Sequence, residues 1–340
     1  MKNFLVFTLV LILVGIVSAT VTHDRLIFFS RNHTTLLKGI AILTVLWGHI
    51  GLAYHFYSIQ WIAGIGVTLF LICSGYGLEA SFNKNGLAHY WKKRIIAVII
   101  PYWIVYLLAG VLLNSNFNMK VVIEILIFIR ANWYIPYILI VYVIYWCLKF
   151  LTVRFKLSKK KFYLMLFTSF TIWFVIVSYY FIIPSATSLL ARQMYAFPLG
   201  VIFYDYYKNV ESIFIERSWK SHVLFGGLAI FSLGVNVLTN VSDIFSSWPN
   251  LLNNVLSLFT IVPLAIVLIR ISCIAYPLFS NGLFKYLGVI SYEIYLIQYF
   301  SRGIVNENPI SLYFCFLVTI FLSWIFYLAY MRIKNLVLKK

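Results

Sequence analysis

Apolar residues run through this chain in long blocks divided by short polar punctuation. A helix that crosses a bilayer needs about 20 mostly apolar residues. Blocks near that length occur at residues 4–21, 36–57, 59–78, 95–113, 133–151, 162–183, 190–207, 222–239, 251–269, 283–300 and 311–330. They predict transmembrane helices, one N-terminal span followed by ten more. Residues 121–129 (VVIEILIFI) are too short to cross and predict a re-entrant or interfacial helix. The intervening segments are short and show no internal repeat, so no soluble catalytic domain is accommodated. The expected fold is all-α, a polytopic transmembrane bundle in which any chemistry takes place in or at the membrane. Its expected divisions are residues 1–33 (an extra span and loop), 34–330 (the membrane domain) and 331–340 (a short basic tail).

Composition agrees with that pattern. Hydrophobic residues make up 63% and charged residues 11%, whereas a soluble globule carries about a quarter charged residues. The net charge of +18 suggests nucleic acid at first sight, but no basic domain exists to carry such a partner. Assigning the loops alternately to two sides places 21 of the 27 Lys and Arg on one side. Five (Lys2, Lys120, Arg130, Arg192 and Arg302) fall on the other, and Lys38 lies just inside a span. By the positive-inside rule this puts the C-terminus in the cytoplasm of a multi-pass plasma-membrane protein. The densest run, Arg154–Lys161 (RFKLSKKK), is placed against anionic headgroups. Lys2 ahead of an apolar run ending Val17-Ser18-Ala19 also resembles a cleavable signal. Cleavage would leave Arg25 and Arg31 outside and invert the bias, so an uncleaved span is expected. Cys73, Cys147, Cys273 and Cys315 sit far apart inside apolar runs, with neither a disulfide framework nor metal-ligand spacing.

Ionisable residues inside spans are functional candidates by default. The sharpest case opens the second span, Lys38-Gly-Ile-Ala-Ile-Leu-Thr-Val-Leu-Trp-Gly-His49. Eleven residues separate the cation from the imidazole, about 16 Å along a helix axis. Lys38 is thereby placed at the cytoplasmic mouth and His49 near mid-membrane, with Gly39 and Gly48 permitting close approach. Histidine suits proton transfer near neutral pH, and lysine suits a phosphate-bearing donor. A hydrogen-bonded structural histidine and a snorkelling lysine account for the same residues equally well. Ser74-Gly75 lacks the preceding glycine of a nucleophile elbow and reads as a helix-packing contact.

A basic residue separated from a His by ten others resembles the signature of the acyltransferase type 3 family of integral-membrane acyltransferases. Further blocks follow in that family's order: Gly66–Tyr76 ending Ser-Gly-Tyr, Tyr90–Arg94 leading to Pro101-Tyr-Trp103, and Asn132–Tyr137 followed by Tyr142. Arg192 with Phe197–Gly200, and then Leu287–Gln298, complete the series. The resemblance covers roughly residues 34–330. Two positions depart from it: Val98 stands where the family's second arginine is expected, and Gln298 where a His is often found.

The resemblance implies transfer of a small acyl group, commonly acetyl from acetyl-CoA, to a hydroxyl of a cell-surface polysaccharide or its lipid-linked precursor. It implies catalytic roles for His49 and Lys38. Lys38, Lys92, Lys93 and Arg94 are expected to hold the acetyl-CoA phosphates. Arg192, Trp133, Tyr134 and Glu293 are expected around the carbohydrate acceptor, and no metal is called for. A transporter or flippase for a glycan or lipid-linked saccharide is the alternative, its buried His and Arg serving a translocation path. The abundance of Ile, Phe, Lys, Asn and Tyr points to an AT-rich bacterial source.

Overall fold

A computed structural model describes residues 2–18, 25–113, 116–180, 190–241 and 248–338. Every regular element among them is helical. In chain order the first eight are α1 (Lys2–Val17), α2 (Arg31–Ala53), α3 (Gln60–Asn85), α4 (Tyr90–Arg94), α5 (Ile100–Leu113), α6 (Met119–Leu126), α7 (Tyr134–Arg154) and α8 (Lys159–Tyr180). They are followed by α9 (Ala196–Asp205), α10 (Tyr207–Ile215), α11 (Trp219–Val241), α12 (Asn250–Leu258) and α13 (Ile261–Ile274). The last four are α14 (Tyr276–Phe279), α15 (Gly282–Val289), α16 (Ser291–Ser301) and α17 (Ile310–Leu338).

Among the described residues, eight helical segments are long and apolar enough to cross a membrane, and they coincide with eight of the predicted spans. The other three predictions are helical in shorter pieces. α1 has 16 residues and α9 ten, while the 283–300 block is divided at Ile290 into α15 and α16. Residues 19–21 and 181–183, at the ends of two predicted spans, and Lys339 and Lys340 of the tail lie outside the described residues. The short 121–129 block begins as α6. Asn118 caps it by accepting a hydrogen bond from the Val121 N–H at 3.1 Å, which turns Val121 and Ile125 inward.

Small residues set the seams around α2 and α3. Without a hydrophobic driving force between helices in lipid, close backbone approach supplies the attraction. A Cβ on Gly39 would lie 1.9 Å from the Phe284 carbonyl oxygen, and one on Gly288 would lie 1.8 Å from that of Thr35, so α2 and α15 touch through their backbones. On the far side of α3, a Cβ on Gly75 would lie 2.2 Å from the Phe197 carbonyl oxygen and one on Gly200 2.1 Å from that of Ile72. Gly75 is thus a packing residue of the α3–α9 seam, as its place beside Ser74 predicts. Gly39→Ala is expected to destabilise the protein by about 1–3 kcal/mol through overpacking. Gly226→Ala, where nothing lies within 4 Å, is the control. Equal melting temperatures of the two variants in one detergent would refute the close-approach account.

Two charges counted among the cytoplasmic loops are instead buried. Lys149 is enclosed within α7, and its Nζ meets Glu79 Oε1 of α3 at 2.7 Å. Arg270 is buried near the end of α13, where its guanidinium donates to the Phe214 and Glu216 carbonyls at the end of α10. Both are retained inside because a specific acceptor replaces their hydration. His33, assigned no role from sequence, is buried as well. Its Nδ1 accepts from the Phe29 N–H at 3.0 Å and its Nε2 meets Ser272 Oγ at 3.0 Å, so it is a satisfied structural histidine.

Candidate functional site

The start of α2 is set by Ser30, whose Oγ accepts a hydrogen bond from the His33 N–H at 3.2 Å. From that start the 3.6-residue turn decides which side chains share a face. Eleven residues are close to three whole turns, so Lys38 and His49 point the same way from the two halves of one helix. Each opens onto its own cavity.

The cavity at the Lys38 end has a volume of about 360 Å³ and is lined by Lys38, Arg94, Ser74, Tyr134, Tyr142 and Tyr292 among others. Arg94 closes α4 and leads directly into a π-helical turn, Ile95–Ile99. Such a turn breaks the α-helical hydrogen-bond register, and hydroxyls from other helices fill its open carbonyls. Tyr292 donates to the Val98 carbonyl at 2.8 Å, and Tyr330 donates to that of Ile96. The Arg94 guanidinium lies over the rings of Tyr90 and Tyr142 at 5.7 and 5.5 Å, and its Nε has no hydrogen-bond partner among the described residues. Val98 also lines this cavity, so the position where a second arginine was expected faces the same space as Arg94. Ser74 Oγ and the Tyr142 hydroxyl meet at 3.1 Å on its wall.

The cavity at the His49 end is larger, about 860 Å³, and is lined by His49, Arg192, Arg302, Asn132, Trp133, Trp61 and Gln60 among others. Arg192 lies flat on Gly64 of α3: a Cβ there would be 3.0–3.3 Å from the guanidinium Nη2, Cζ and Nε. Among the described residues its Nε has no hydrogen-bond partner. Gln298 lies beside His49, and Arg302 is close enough to act on it electrostatically. The Gln298 amide is buried with both polar atoms short of hydrogen-bonding geometry. Tyr295 lines both cavities. It is buried and packs edge-on against Tyr134, with ring centroids 5.1 Å apart. The two spaces therefore share Tyr295 as a common wall.

The predicted residues divide between the two ends. Lys38 and Arg94 come together in one cavity, and His49, Arg192 and Trp133 in the other. Trp133 and Tyr134, adjacent in sequence, part company: Tyr134 faces the Lys38 cavity. Lys92 and Lys93 are exposed on α4 and line neither space. Glu293 is buried on α16 near Tyr330 and Lys334 of α17, away from both cavities. Helix geometry accounts for that placement. Ser291, Tyr295, Gln298 and Arg302 repeat at intervals of four, three and four and form one stripe facing α2. Glu293 falls about 200° from Ser291, on the opposite side. Sequence reasoning missed Tyr295 and Arg302, although this stripe is legible in the sequence once Gln298 is taken as its anchor.

The family described as acyltransferase domain matches residues 34–328. No curated protein and no solved structure matches the chain.

Proposed function

Because this chain belongs to the acyltransferase family whose domain spans residues 34–328, we propose that it transfers a small acyl group, acetyl from acetyl-CoA, to a hydroxyl of a cell-surface polysaccharide or its lipid-linked precursor. The observation that carries this reading is the pair of cavities on one face of α2, sharing Tyr295 as a wall. Lys38 and Arg94 supply two cations at one end, and the Arg94 Nε, unpartnered among the described residues, is suited to a phosphate oxygen of the donor. His49 stands at the other end, among groups suited to a saccharide: the Trp61 and Trp133 rings and the Asn132 and Gln60 amides.

The acyl carbon of a donor anchored at Lys38 and Arg94 reaches His49 by passing Tyr295. There the acceptor hydroxyl attacks the thioester carbonyl. A sugar hydroxyl is far too weak an acid to ionise near neutral pH, so His49 takes its proton as the new C–O bond forms. Collapse of the tetrahedral intermediate breaks the C–S bond, and the imidazolium returns the proton to the departing thiolate. One ester and one free thiol result. The Arg302 and Gln298 groups beside His49 are placed to steady charge that develops at the carbonyl oxygen. Lys38 acts at a distance, by holding the donor.

Membranes containing the protein, supplied with radiolabelled acetyl-CoA and glycolipid extracted from the host, are expected to place label in an alkali-labile ester. The expected yield is one free CoA thiol per ester. Movement of glycolipid across the membrane without consumption of acetyl-CoA would overturn this reading in favour of a transporter.

A further inference from the structure

The family match begins at residue 34, so α1 lies outside it, yet the helix is built into the fold. Phe4 and Phe7 are fully buried, whereas Leu5, Leu9, Leu13 and Ile16 on its other side are exposed, as lipid-facing positions are. Phe7 packs edge-on against Tyr313 of α17, with ring centroids 5.1 Å apart. Phe4 turns to the end of α2, with its ring 5.6 Å from that of Trp47 and 5.3 Å from that of Phe56. Thr8 adds a directional contact. Its hydroxyl donates to the Phe4 carbonyl one turn back at 2.9 Å and accepts from Trp47 Nε1 at 2.8 Å. A hydroxyl has one proton and two lone pairs, so the first bond fixes the rotor and leaves a lone pair aimed at the indole.

Trp47 stands two residues before His49, about 200° around α2. The bond from Thr8 therefore grips the back of the helical turn whose front faces the chamber. One turn further on, a Cβ on Gly51 would lie 3.0 Å from Phe4 Cζ and 2.8 Å from Ile59 Cδ1. Phe4 is thus seated against both the last turn of α2 and the link to α3. That link carries Tyr57 and Ser58, and Gln60 and Trp61 follow at the start of α3; all four line the chamber. Two walls of the His49 chamber are backed by one short helix.

We propose that α1 is a working part of the enzyme and that Thr8 is a positioning residue, which acts through Trp47 to fix the depth and rotation of the turn that carries His49. This inference rests on the acyl-transfer reading for the role of His49. A misplacement of about 1 Å can cost about 10²-fold in rate, so a contact two residues from the imidazole is close enough to matter. Lys38 lies nine residues before Trp47, about 14 Å along the axis, where Gly39 seats α2 on α15. Donor binding at that end is therefore independent of Thr8.

The test is steady-state transfer from radiolabelled acetyl-CoA to host glycolipid by full-length protein in detergent, read beside melting temperature. Thr8→Val keeps the shape and removes the acceptor; it is expected to lower kcat about tenfold while the KM for acetyl-CoA stays within about twofold. Thr8→Ser keeps the acceptor and is expected to restore most of the rate. Trp47→Phe is expected to match Thr8→Val, and the double variant to be no worse than either, because both remove the same bond. Leu9→Ala, on the lipid-facing side, is expected to turn over as wild type does. Thr8→Val with wild-type kcat, a rise in the KM for acetyl-CoA with kcat unchanged, a double variant whose loss is the product of the two single losses, or a Thr8→Ser variant as slow as Thr8→Val would each overturn the proposal. So would an intact mass showing that the mature protein lacks α1. Active wild type with indifferent variants would remove this inference alone, whereas wild type that transfers no acetyl group would remove the acyl-transfer reading and the inference with it.

Discussion

Replacing His49 with alanine is expected to lower kcat for acyl transfer by about 10²–10⁴-fold, the usual contribution of a positioned general base. The protein should remain in the membrane at wild-type level. His49 lies at the chamber surface rather than within a packed seam, so its removal enlarges a polar space and leaves the neighbouring helices in place. Among the described residues it is the histidine that lines this chamber. His33, on the same helix, is occupied by Phe29 and Ser272. The check is label transfer from acetyl-CoA at saturating acceptor, read beside the melting temperature of the purified variant. Turnover within a few-fold of wild type would remove the imidazole from the mechanism. A fall in both turnover and melting temperature would assign it to the fold.

The largest stability effect is expected away from the site, at Glu79. This carboxylate is buried between α3 and α7. Lys149 Nζ lies at 2.7 Å, the Tyr145 hydroxyl donates at 2.8 Å, and the Asn83 amide donates at 3.1 Å. Lys149 in turn lies over the Phe162 ring at 3.8 Å and the Phe82 ring at 4.5 Å. Glu79→Ala leaves that ammonium enclosed without a counter-charge, which typically destabilises by about 3–5 kcal/mol. The double variant Glu79→Gln with Lys149→Met removes both charges and is expected to recover most of the loss, since an apolar replacement for a buried pair is often nearly neutral. Thermal melting of the single and double variants in one detergent decides the matter. A single variant as stable as wild type, or a double variant no better than the single, would show that the pair is not coupled in this way.

These two sites differ in how far they could be read from the chain. His49 and Lys38 carry a spacing of eleven, which on any helix means one face and about 16 Å, and that arithmetic holds whatever the neighbours are. Glu79 and Lys149 are 70 residues apart. Lys149 lies at the end of an apolar block, where a snorkelling or loop role is the ordinary expectation, and nothing local reveals the carboxylate that encloses it. The same holds for Arg270, whose acceptors are backbone carbonyls and therefore leave no trace in side-chain identity. Arg302 is an intermediate case. Its place on the stripe with Ser291, Tyr295 and Gln298 is a local property, but its entry into the His49 chamber depends on how α16 packs beside α2.

Which eight of the eleven predicted spans form helices long and apolar enough to cross was read from the structure. By itself the sequence determined that this is an all-helical, multi-pass membrane protein, where its apolar blocks lie, and that a cation and an imidazole share a face of α2. Hydropathy and helical period are local quantities, and lipid forces the backbone to satisfy its hydrogen bonds within each span, so these features do not wait on packing. Only the tertiary structure decided that Lys38 and His49 open onto separate cavities that share Tyr295 as a wall, that Trp133 and Tyr134 face different ones, and that Glu293 faces neither. Those outcomes depend on how closely the helices approach. That distance is set by contacts such as Gly39 against Phe284 and Gly75 against Phe197, between residues far apart in the chain.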